Sequence, residues 1–384
     1  MKIGVNARFL SKPFTGIGKY TRYLFEELAV QNPDDEFLLA VNGEIDVTMP
    51  KNVRIQTIPE KFPGTSGMKK TYWEQVQLPD FFIKNDVDLV HFPYPSNPWK
   101  DFNKPTVVTV HDTIPWTLSP YRRSLSTRLY QDRCKNAVKK ANHVFAVSKT
   151  AGKEIVDVCD LDPEKLSVSY NALPEIFFEK IDEPERNEVL RKHGINPGKP
   201  FLLYVGGFDA RKNVTFLLDA FNEYIAPNLE LDLVLTGGKL HNDKLYKSFD
   251  SLTNQGNEGK LQTKKGEIKA TGFVSDRDLA ALYQSSFAFI NVSIKEGFNL
   301  PLLEAIVSGS PVIASDMPVH HEVVGDYALY CKHNDKNQLG TIIHNLFTDK
   351  DFYQKQKQKA ESFHCPYSWS KTAKKVMETY KALI

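Results

Sequence analysis

The order of short apolar segments is the feature that most limits how this chain can fold. Residues 2–9 form an apolar run, and Gly16 and Gly18 follow it. Residues 20–29 then carry apolar residues at helical spacing. The same order returns at residues 201–205, Gly206 and Gly207, and residues 213–224. Strands that are apolar along their whole length are buried on both faces, as in parallel sheets covered by helices. The sequence therefore predicts an α/β fold with two doubly wound parallel sheets.

Further apolar runs extend each half, and the stretch between the halves differs in composition. Residues 175–199 are rich in charged residues, Pro and Gly, which is typical of a linker. We therefore predict an N-terminal domain over residues 1–174, a linker over 175–199 and a C-terminal domain over 200–370, with a terminal helix at 371–384. Residues 254–266, rich in Gly, Lys and Gln, predict a mobile surface loop.

The composition excludes several classes of protein. The 49 Lys and Arg against 47 Asp and Glu leave a net charge of +2, too small a field to recruit nucleic acid. No apolar run approaches the roughly 20 residues that span a bilayer. The four cysteines are far apart and form no Cys-x-x-Cys pair, so we expect no disulfide framework, no zinc site and a cytoplasmic setting. Two Asp-x-Asp pairs, at residues 86–88 and 160–162, are typical of turns rather than of metal sites.

Two glycine-containing turns are candidate anion sites. Gly16 and Gly18 open the first predicted helix, where free N–H groups suit a phosphate, although the third glycine of a dinucleotide fingerprint is missing. The alternative is a tight turn that packs helix on strand. In the second half, Arg211 and Lys212 stand at a helix start, where two cations oppose the helix dipole unless an anion neutralises them. This arrangement predicts phosphate binding, with a solvated basic turn as the alternative.

Two carboxylates follow the apolar run at residues 287–292. Glu296 falls in the loop after that run, where a carboxylate can hold sugar hydroxyls or balance a positive transition-state charge. The alternative is a solvated loop acid. Glu304 is expected in the first turn of the next helix, where capping is the alternative role. We expect Glu296 and Lys212 to be exposed in a cleft.

Polar residues also follow the run at residues 107–110. His111 could donate to a substrate hydroxyl and Asp112 could take a proton from an acceptor. A hydrogen bond that only closes the strand end is the alternative for both.

A later segment, at residues 122–140, has cations interleaved with apolar residues, which predicts a basic amphipathic helix. Such a helix either contacts an anionic membrane surface or is merely solvated. Its cations are Arg122, Arg123, Arg128, Arg133, Lys135, Lys139 and Lys140.

Taken together, these motifs resemble the retaining glycosyltransferases of family 4, and the resemblance covers nearly the whole chain. Its most specific element is the Glu-x7-Glu pattern from Glu296 to Glu304. The resemblance implies the GT-B architecture, in which two Rossmann-like domains face a central cleft, and catalysis without a metal or other cofactor.

The resemblance also implies roles for individual residues. The implied catalytic residues are Glu296 at the donor sugar, His111 beside it, and Arg211 and Lys212 at the departing diphosphate. The implied donor-binding residues are Gly16, Gly18, Gly207, Phe273, Val274, Phe298, Asn299, Leu300 and Glu304. Asp112 would lie on the acceptor side. Many family members carry Arg where Gly207 stands, so fewer cations would hold the diphosphate here.

The donor and acceptor are expectations of the same resemblance. The His-Asp-Thr-Ile-Pro and Arg-Lys-Asn segments look like those of mannosyltransferases that build surface polysaccharides. We therefore expect retaining, metal-independent transfer of a hexose, mannose from GDP-mannose, to a glycan or a lipid-linked acceptor, with peripheral contact to the inner face of the plasma membrane through residues 122–140. The alternatives are a UDP-sugar or dTDP-sugar donor, a nucleotide-sugar 2-epimerase and a non-enzymatic glycan-binding module.

Overall fold

The computed structural model describes residues 1–12, 15–122, 124–237 and 265–384. The predicted loop at 254–266 therefore lies outside the described residues except for its last two, and so does Arg123. The chain divides into two compact units. The first comprises Met1–Ala172 and Tyr367–Ile384, and the second comprises Leu173–Pro366.

The first unit contains a seven-stranded parallel sheet in the order β3-β2-β1-β4-β5-β6-β7. Its strands are β1 (Lys2–Asn6), β2 (Glu36–Val41), β3 (Val53–Thr57), β4 (Leu89–Phe92), β5 (Thr106–Val110), β6 (His143–Ala146) and β7 (Leu166–Val168). Its helices are α1 (Gly16–Gln31), α2 (Ser66–Tyr72), α3 (Leu78–Lys84), α4 (Ile114–Thr117), α5 (Leu125–Lys140) and α6 (Lys149–Cys159).

Helices cover both faces of this sheet because its central strands are apolar on both sides. In β2, Phe37 and Leu39 join one buried cluster, whereas Leu38 and Ala40 join another on the opposite face. Successive side chains of a strand point to opposite faces, so an uninterrupted apolar run requires two apolar layers. The doubly wound arrangement that the sequence predicted is confirmed.

The end of the chain returns to the first unit. A helix over Trp369–Leu383 packs against α1, with Val376 and Tyr380 in the same buried cluster. The Tyr380 hydroxyl is hydrogen-bonded to Nδ1 of His91, whose Nε2 lies 2.8 Å from Oγ1 of Thr109. Burial lowers the pKa of His91 to about 3, so this ring is neutral and ties the terminal helix to the sheet.

The second unit contains a six-stranded parallel sheet in the order β10-β9-β8-β11-β12-β13. Its strands are β8 (Phe201–Val205), β9 (Asp232–Thr236), β10 (Ile268–Gly272), β11 (Ala288–Asn291), β12 (Val312–Ser315) and β13 (Ala328–Cys331). Its helices are α7 (Glu183–Lys192), α8 (Val214–Ala220), α9 (Asp276–Ser285), α10 (Leu300–Val307), α11 (Pro318–Val324), α12 (Lys336–Thr348) and α13 (Lys350–Glu361), and the terminal helix of the first unit is α14 (Trp369–Leu383).

The segment at residues 175–199 is part of the second unit rather than a free linker. It forms α7, which packs against α9. Phe177, Ile181 and Leu190 from this segment are buried. The charged residues that suggested a linker lie on its outer side, and Arg277 of α9 is ion-paired with Glu185 of α7. Composition described the exposed face of this segment but missed its apolar anchors.

Each sheet has one point at which the chain connections leave in opposite directions. In the first unit it lies between β1 and β4, and in the second between β8 and β11. Loops that follow such neighbouring strands form the usual ligand crevice of an open parallel sheet. No helix among the described residues is long and apolar enough to cross a bilayer.

Candidate functional site

The loops after β8 and β11 bring three predicted site residues into direct contact. Arg211 and Lys212 lie in a short 3-10 turn, Ala210–Lys212, just before α8. Glu296 lies in the loop between β11 and α10. The backbone N–H of Ile294 donates to the carbonyl of Arg211 at 2.8 Å, which joins the two loops at the switch point of the sheet.

Glu296 is the centre of an ion-pair network. Its Oε2 lies 2.5 Å from Nη1 of Arg211, and its Oε1 lies 2.7 Å from Nζ of Lys212. The hydroxyl of Ser293 donates to the same Oε1 at 2.8 Å. Arg211 also lies 3.3 Å from a carboxylate oxygen of Asp209. The two cations therefore neutralise a carboxylate of the chain itself in this structure.

The expectation that Glu296 and Lys212 are exposed is wrong. Each side chain is only 7% exposed. Their mutual pairing explains this burial, because a buried carboxylate and a buried ammonium each need a partner of opposite charge. Burial acts to raise the pKa of Glu296, but the charges of Lys212 and Arg211 outweigh it and hold that pKa at about 2. Glu296 is therefore ionised at neutral pH.

The glycine that the turn after β8 needs for its conformation is Gly206. Its φ of +153° lies in a region that residues with a side chain rarely adopt, whereas Gly207 has no such φ and its side-chain position meets only an ordinary contact. The hydroxyl of Tyr204 donates to the carbonyl of Gly207 at 2.7 Å and supports the turn from below. Both glycines lie in the predicted turn, but the one predicted to bind the donor was Gly207.

The loop from Glu296 to α10 ends in a left-handed residue. Phe298 is buried, and Asn299 has a φ of +75° immediately before Leu300 and Pro301 begin the helix. The amide of Asn299 is hydrogen-bonded to His320, which is fully buried. The sequence did not predict this contact, because no local pattern relates residues 299 and 320.

Glu304 occupies a different position from the one predicted. It is the fifth residue of α10, so it lies beyond the first turn and does not act as a helix cap. Its carboxylate is buried and accepts a hydrogen bond from the hydroxyl of Tyr283 at 3.0 Å. The predicted first-turn position is wrong because α10 already begins at Leu300.

The residues that follow β10 lie at the same edge of the second sheet as the loops after β8 and β11, because all of its strands are parallel. Gly272 has a φ of +71°, and its carbonyl accepts from the N–H of Gly237 at the end of β9. Phe273 is 51% exposed and Val274 is half-buried. An exposed aromatic side chain that directly follows a sheet strand is suited to stack on a planar ligand group.

The two glycines of the first unit have different environments. Thr15 caps α1 by accepting from the N–H of Gly18. A side chain at Gly18 would lie 2.5 Å and 2.7 Å from backbone carbonyl oxygens, whereas nothing described lies within 4 Å of such a position at Gly16. Gly18 therefore serves the tight packing that the sequence left open as the alternative. Gly16 lies at the first position of α1, and its contact with a phosphate stays a prediction.

His111 and Asp112 follow β5 and already make local hydrogen bonds. Nε2 of His111 lies 2.9 Å from the carbonyl oxygen of Pro93. A carbonyl oxygen only accepts, so Nε2 carries the proton and Nδ1 of the neutral ring is an acceptor. Burial lowers the pKa of His111 to about 4, which keeps the ring neutral. His111 is thus suited to accept from a hydroxyl, the reverse of the donor role that we expected.

Asp112 supports the turn into α4. One of its carboxylate oxygens accepts from the N–H of Ile114 at 2.9 Å. This is the strand-end hydrogen bond that the sequence left open as an alternative to proton transfer.

The predicted site residues are divided between the two units. The first unit contains Gly16, Gly18, His111 and Asp112, and the second contains the others. Among the described residues, no group of three or more His, Cys, Asp or Glu side chains has an arrangement that could hold a metal ion.

Comparisons with known proteins define the class. The family model described as Glycosyltransferase Family 4 matches residues 14–174, and the model described as Glycosyl transferases group 1 matches residues 185–363. These two models account for most of both units. The chain therefore belongs to the glycosyltransferases of family 4 and group 1, which confirms the resemblance.

The individual relatives that match this chain have low sequence identity to it. The serotype-specific mannosyltransferase WbdA of Escherichia coli is 26% identical over 304 residues, which are 78% of this chain and 36% of WbdA. This chain thus matches only about a third of the length of that relative. The O-antigen chain mannosyltransferase B of Escherichia coli is 24% identical over 397 residues, covering 100% of both chains.

Solved structures show the same fold. The crystal structure of Anabaena HepE in complex with UDP and glucose has a TM-score of 0.73 and 16% identity, covering 100% of both chains. Together with the two parallel sheets, this likeness confirms the GT-B fold class. The resemblance had implied that class from the sequence.

Proposed function

We propose that this protein is a retaining glycosyltransferase that moves a hexose from a nucleotide sugar to a glycan or a lipid-linked acceptor without a metal ion. The observation that carries the proposal is the buried network of Arg211, Lys212 and Glu296 at the switch point of the second sheet. It combines two cations and an ionised carboxylate within one ligand crevice. Breaking a glycosyl phosphate bond requires both kinds of charge.

The cations match the leaving group. As the glycosyl phosphate bond breaks, negative charge accumulates on the diphosphate, and preorganised cations lower the energy of that state. Arg211 can bond two phosphate oxygens at once, while Lys212 acts as a compact charge. These two side chains and the N–H groups at the start of α10 supply the positive charge that a metal ion supplies in other transferases. Metal independence is part of the proposal for this reason.

The negative charge of Glu296 is suited to the sugar of the donor. The anomeric carbon becomes positive as the bond breaks, and a carboxylate that remains ionised stabilises that charge. The low pKa of Glu296 keeps it ionised at neutral pH. We propose that the acceptor hydroxyl attacks on the face from which the diphosphate departs, which retains the anomeric configuration. His111 would accept a hydrogen bond from a sugar hydroxyl through its unprotonated Nδ1.

We propose GDP-mannose as the donor and a surface polysaccharide as the product. The support is that two relatives carry mannosyltransferase in their names, one of them an O-antigen chain enzyme. A UDP-sugar is the second candidate, because the structurally similar HepE was crystallised with UDP and glucose. Phe273 would stack on the base of either nucleotide, and Glu304 would bond the ribose. The protein would act on the cytoplasmic side of the plasma membrane and use a nucleotide sugar as its co-substrate.

Calorimetric titration with GDP, UDP, dTDP, ADP and NAD in the presence of EDTA tests this proposal. We expect one diphosphate to bind selectively, and its affinity to fall in Lys212→Ala but not in Lys336→Ala. Lys336 is a matched control because it is also ion-paired with a glutamate, Glu223, but on an exposed surface. The nucleotide that binds identifies the donor.

Three outcomes would contradict the proposal. Binding of glycans with no nucleotide dependence would indicate a glycan-binding module. Conversion of a nucleotide sugar to its 2-epimer without acceptor would indicate an epimerase. Binding that disappears in EDTA would contradict metal independence.

We also propose that α5 contacts an anionic membrane surface, which would bring the enzyme to a lipid-linked acceptor. Leu125 is 74% exposed and Leu129 is 54% exposed, one helical turn apart, with exposed Arg128 between them. Exposed apolar side chains flanked by cations are suited to the interface of anionic lipids. Arg122 is less available, because it is ion-paired with Asp132.

Sedimentation with vesicles tests this membrane contact. Vesicles of phosphatidylglycerol and phosphatidylcholine should retain the protein, and vesicles of phosphatidylcholine alone should not. Leu125→Ser with Leu129→Ser should lower the bound fraction about tenfold, since two leucine side chains leave the interface. Val30→Ser is the control, because Val30 is also an exposed apolar residue on a helix of the first unit. Equal retention of all three proteins would exclude α5 as the contact.

A further inference from the structure

Asn299 holds a backbone conformation that needs support. Its φ is +75° and its ψ is +70°, in the left-handed region that glycine enters without cost and other residues seldom occupy. Asn299 is three residues from Glu296 and directly precedes α10. A change of conformation at this residue would move both the carboxylate and the first N–H groups of the helix.

A series of hydrogen bonds holds the amide nitrogen of Asn299, whereas its Oδ1 is buried and has no hydrogen-bond partner among the described residues. Nδ1 of His320 lies 2.8 Å from the carbonyl oxygen of Ser315, so Nδ1 carries the proton of the neutral ring. Nε2 of His320 is therefore an acceptor, and it receives a hydrogen bond from Nδ2 of Asn299 at 2.8 Å. Asn299 is 5% exposed and His320 is fully buried, so water does not replace these bonds.

The same strand end also supports Glu296 from its other side. The hydroxyl of Ser315 donates to the carbonyl of Ser293 at 2.6 Å. The hydroxyl of Ser293 in turn donates to Oε1 of Glu296 at 2.8 Å. The end of β12 thus holds the loop between β11 and α10 at two points. One is Ser293, before Glu296, and the other, through His320, is Asn299, after it.

We propose that His320 is a positioning residue, which holds the loop from Glu296 to Asn299 in its donor-binding conformation through the hydrogen bond to the amide of Asn299. This inference rests on the proposed function of that loop. His320 does not need to touch the donor. Its burial lowers its pKa to about 4, so the ring remains the neutral acceptor that Asn299 requires at physiological pH.

A double-mutant cycle tests this role. His320→Leu removes the acceptor and leaves the Asn299 amide buried without a partner, so the affinity for the nucleoside diphosphate should fall about tenfold. Asn299→Gly removes the amide and serves only as the reference background of the cycle, because glycine adopts the left-handed conformation without that support. In the Asn299→Gly background, His320→Leu should change the affinity less than about twofold, since no amide then depends on His320.

A second readout needs no ligand. Amide hydrogen exchange of the peptide that contains residues 296–302 should accelerate in His320→Leu relative to the unmodified protein. It should not accelerate in the double variant relative to Asn299→Gly alone. His320→Gln should restore slow exchange, because its side chain offers both a donor and an acceptor. Thermal melting of each variant checks that the fold is retained.

The two proposals can fail separately. If no nucleotide binds the unmodified protein, the proposed function fails, and the exchange cycle still measures the coupling of residues 299 and 320. If His320→Leu has the same effect on exchange and affinity in both backgrounds, His320 does not act through Asn299, and the positioning role is overturned even for an active transferase.

Discussion

Glu296→Gln is expected to lower the transfer rate by about 10²- to 10³-fold, the usual cost of removing one electrostatic stabiliser from an active site. Glutamine keeps the size and one acceptor oxygen of the side chain but carries no charge. The diphosphate should still bind, because Arg211 and Lys212 remain and no longer share their charge with a carboxylate. The change should therefore appear in kcat rather than in nucleotide affinity.

Initial rates with saturating donor and calorimetry with the nucleoside diphosphate separate these effects. Glu223→Gln is the matched control, because it removes the charge of another lysine-paired glutamate of the second unit, on the exposed surface. Its rate should equal that of the unmodified protein. A Glu296→Gln protein with full activity would remove the proposed mechanism.

Lys212→Met is expected to weaken diphosphate binding by about 10- to 100-fold, the worth of a charge-assisted hydrogen bond. It should also lower the free energy of unfolding by about 2 kcal/mol, because Glu296 then keeps only Arg211 as its cationic partner in a buried position. Methionine fills a similar volume, so the loss is electrostatic. Urea denaturation and calorimetric titration measure the two effects.

The double variant Lys212→Met with Glu296→Gln supplies the control for stability. It removes both buried charges, and Arg211 retains Asp209 as a partner. Its free energy of unfolding should therefore exceed that of Lys212→Met alone. If the single and double variants are equally stable, the loss in Lys212→Met does not arise from a buried charge on Glu296 that lacks its partner, and the electrostatic explanation is wrong.

Local sequence patterns predicted the elements that carry the site. Uninterrupted apolar runs such as residues 201–205 and 287–292 correspond to β8 and β11, because a strand buried on both faces cannot alternate with polar residues. The glycine turn after β8 also stands where predicted. These features depend on neighbouring residues in the chain, and for that reason a single sequence reveals them.

Contacts between distant residues were beyond such patterns. Glu296 and Lys212 are 84 positions apart, and nothing local indicates that each neutralises and buries the other. The partner of Asn299 is His320, and the chain returns to that point only after α10 and β12 have formed. The same holds for residues 175–199, whose charged composition resembles a linker although its few apolar side chains pack on the second unit.

The sequence by itself therefore determined the class of fold, the order of strands and helices, and which loops carry charged residues at strand ends. Backbone propensity and the period of apolar residues decide these features over a few positions. Only the tertiary structure decided which charges pair, which proton each buried histidine holds and which residue supports the left-handed turn at Asn299. Those properties follow from burial and from hydrogen bonds between segments that the fold brings together, since a buried polar group must find its partner wherever the packed chain supplies one.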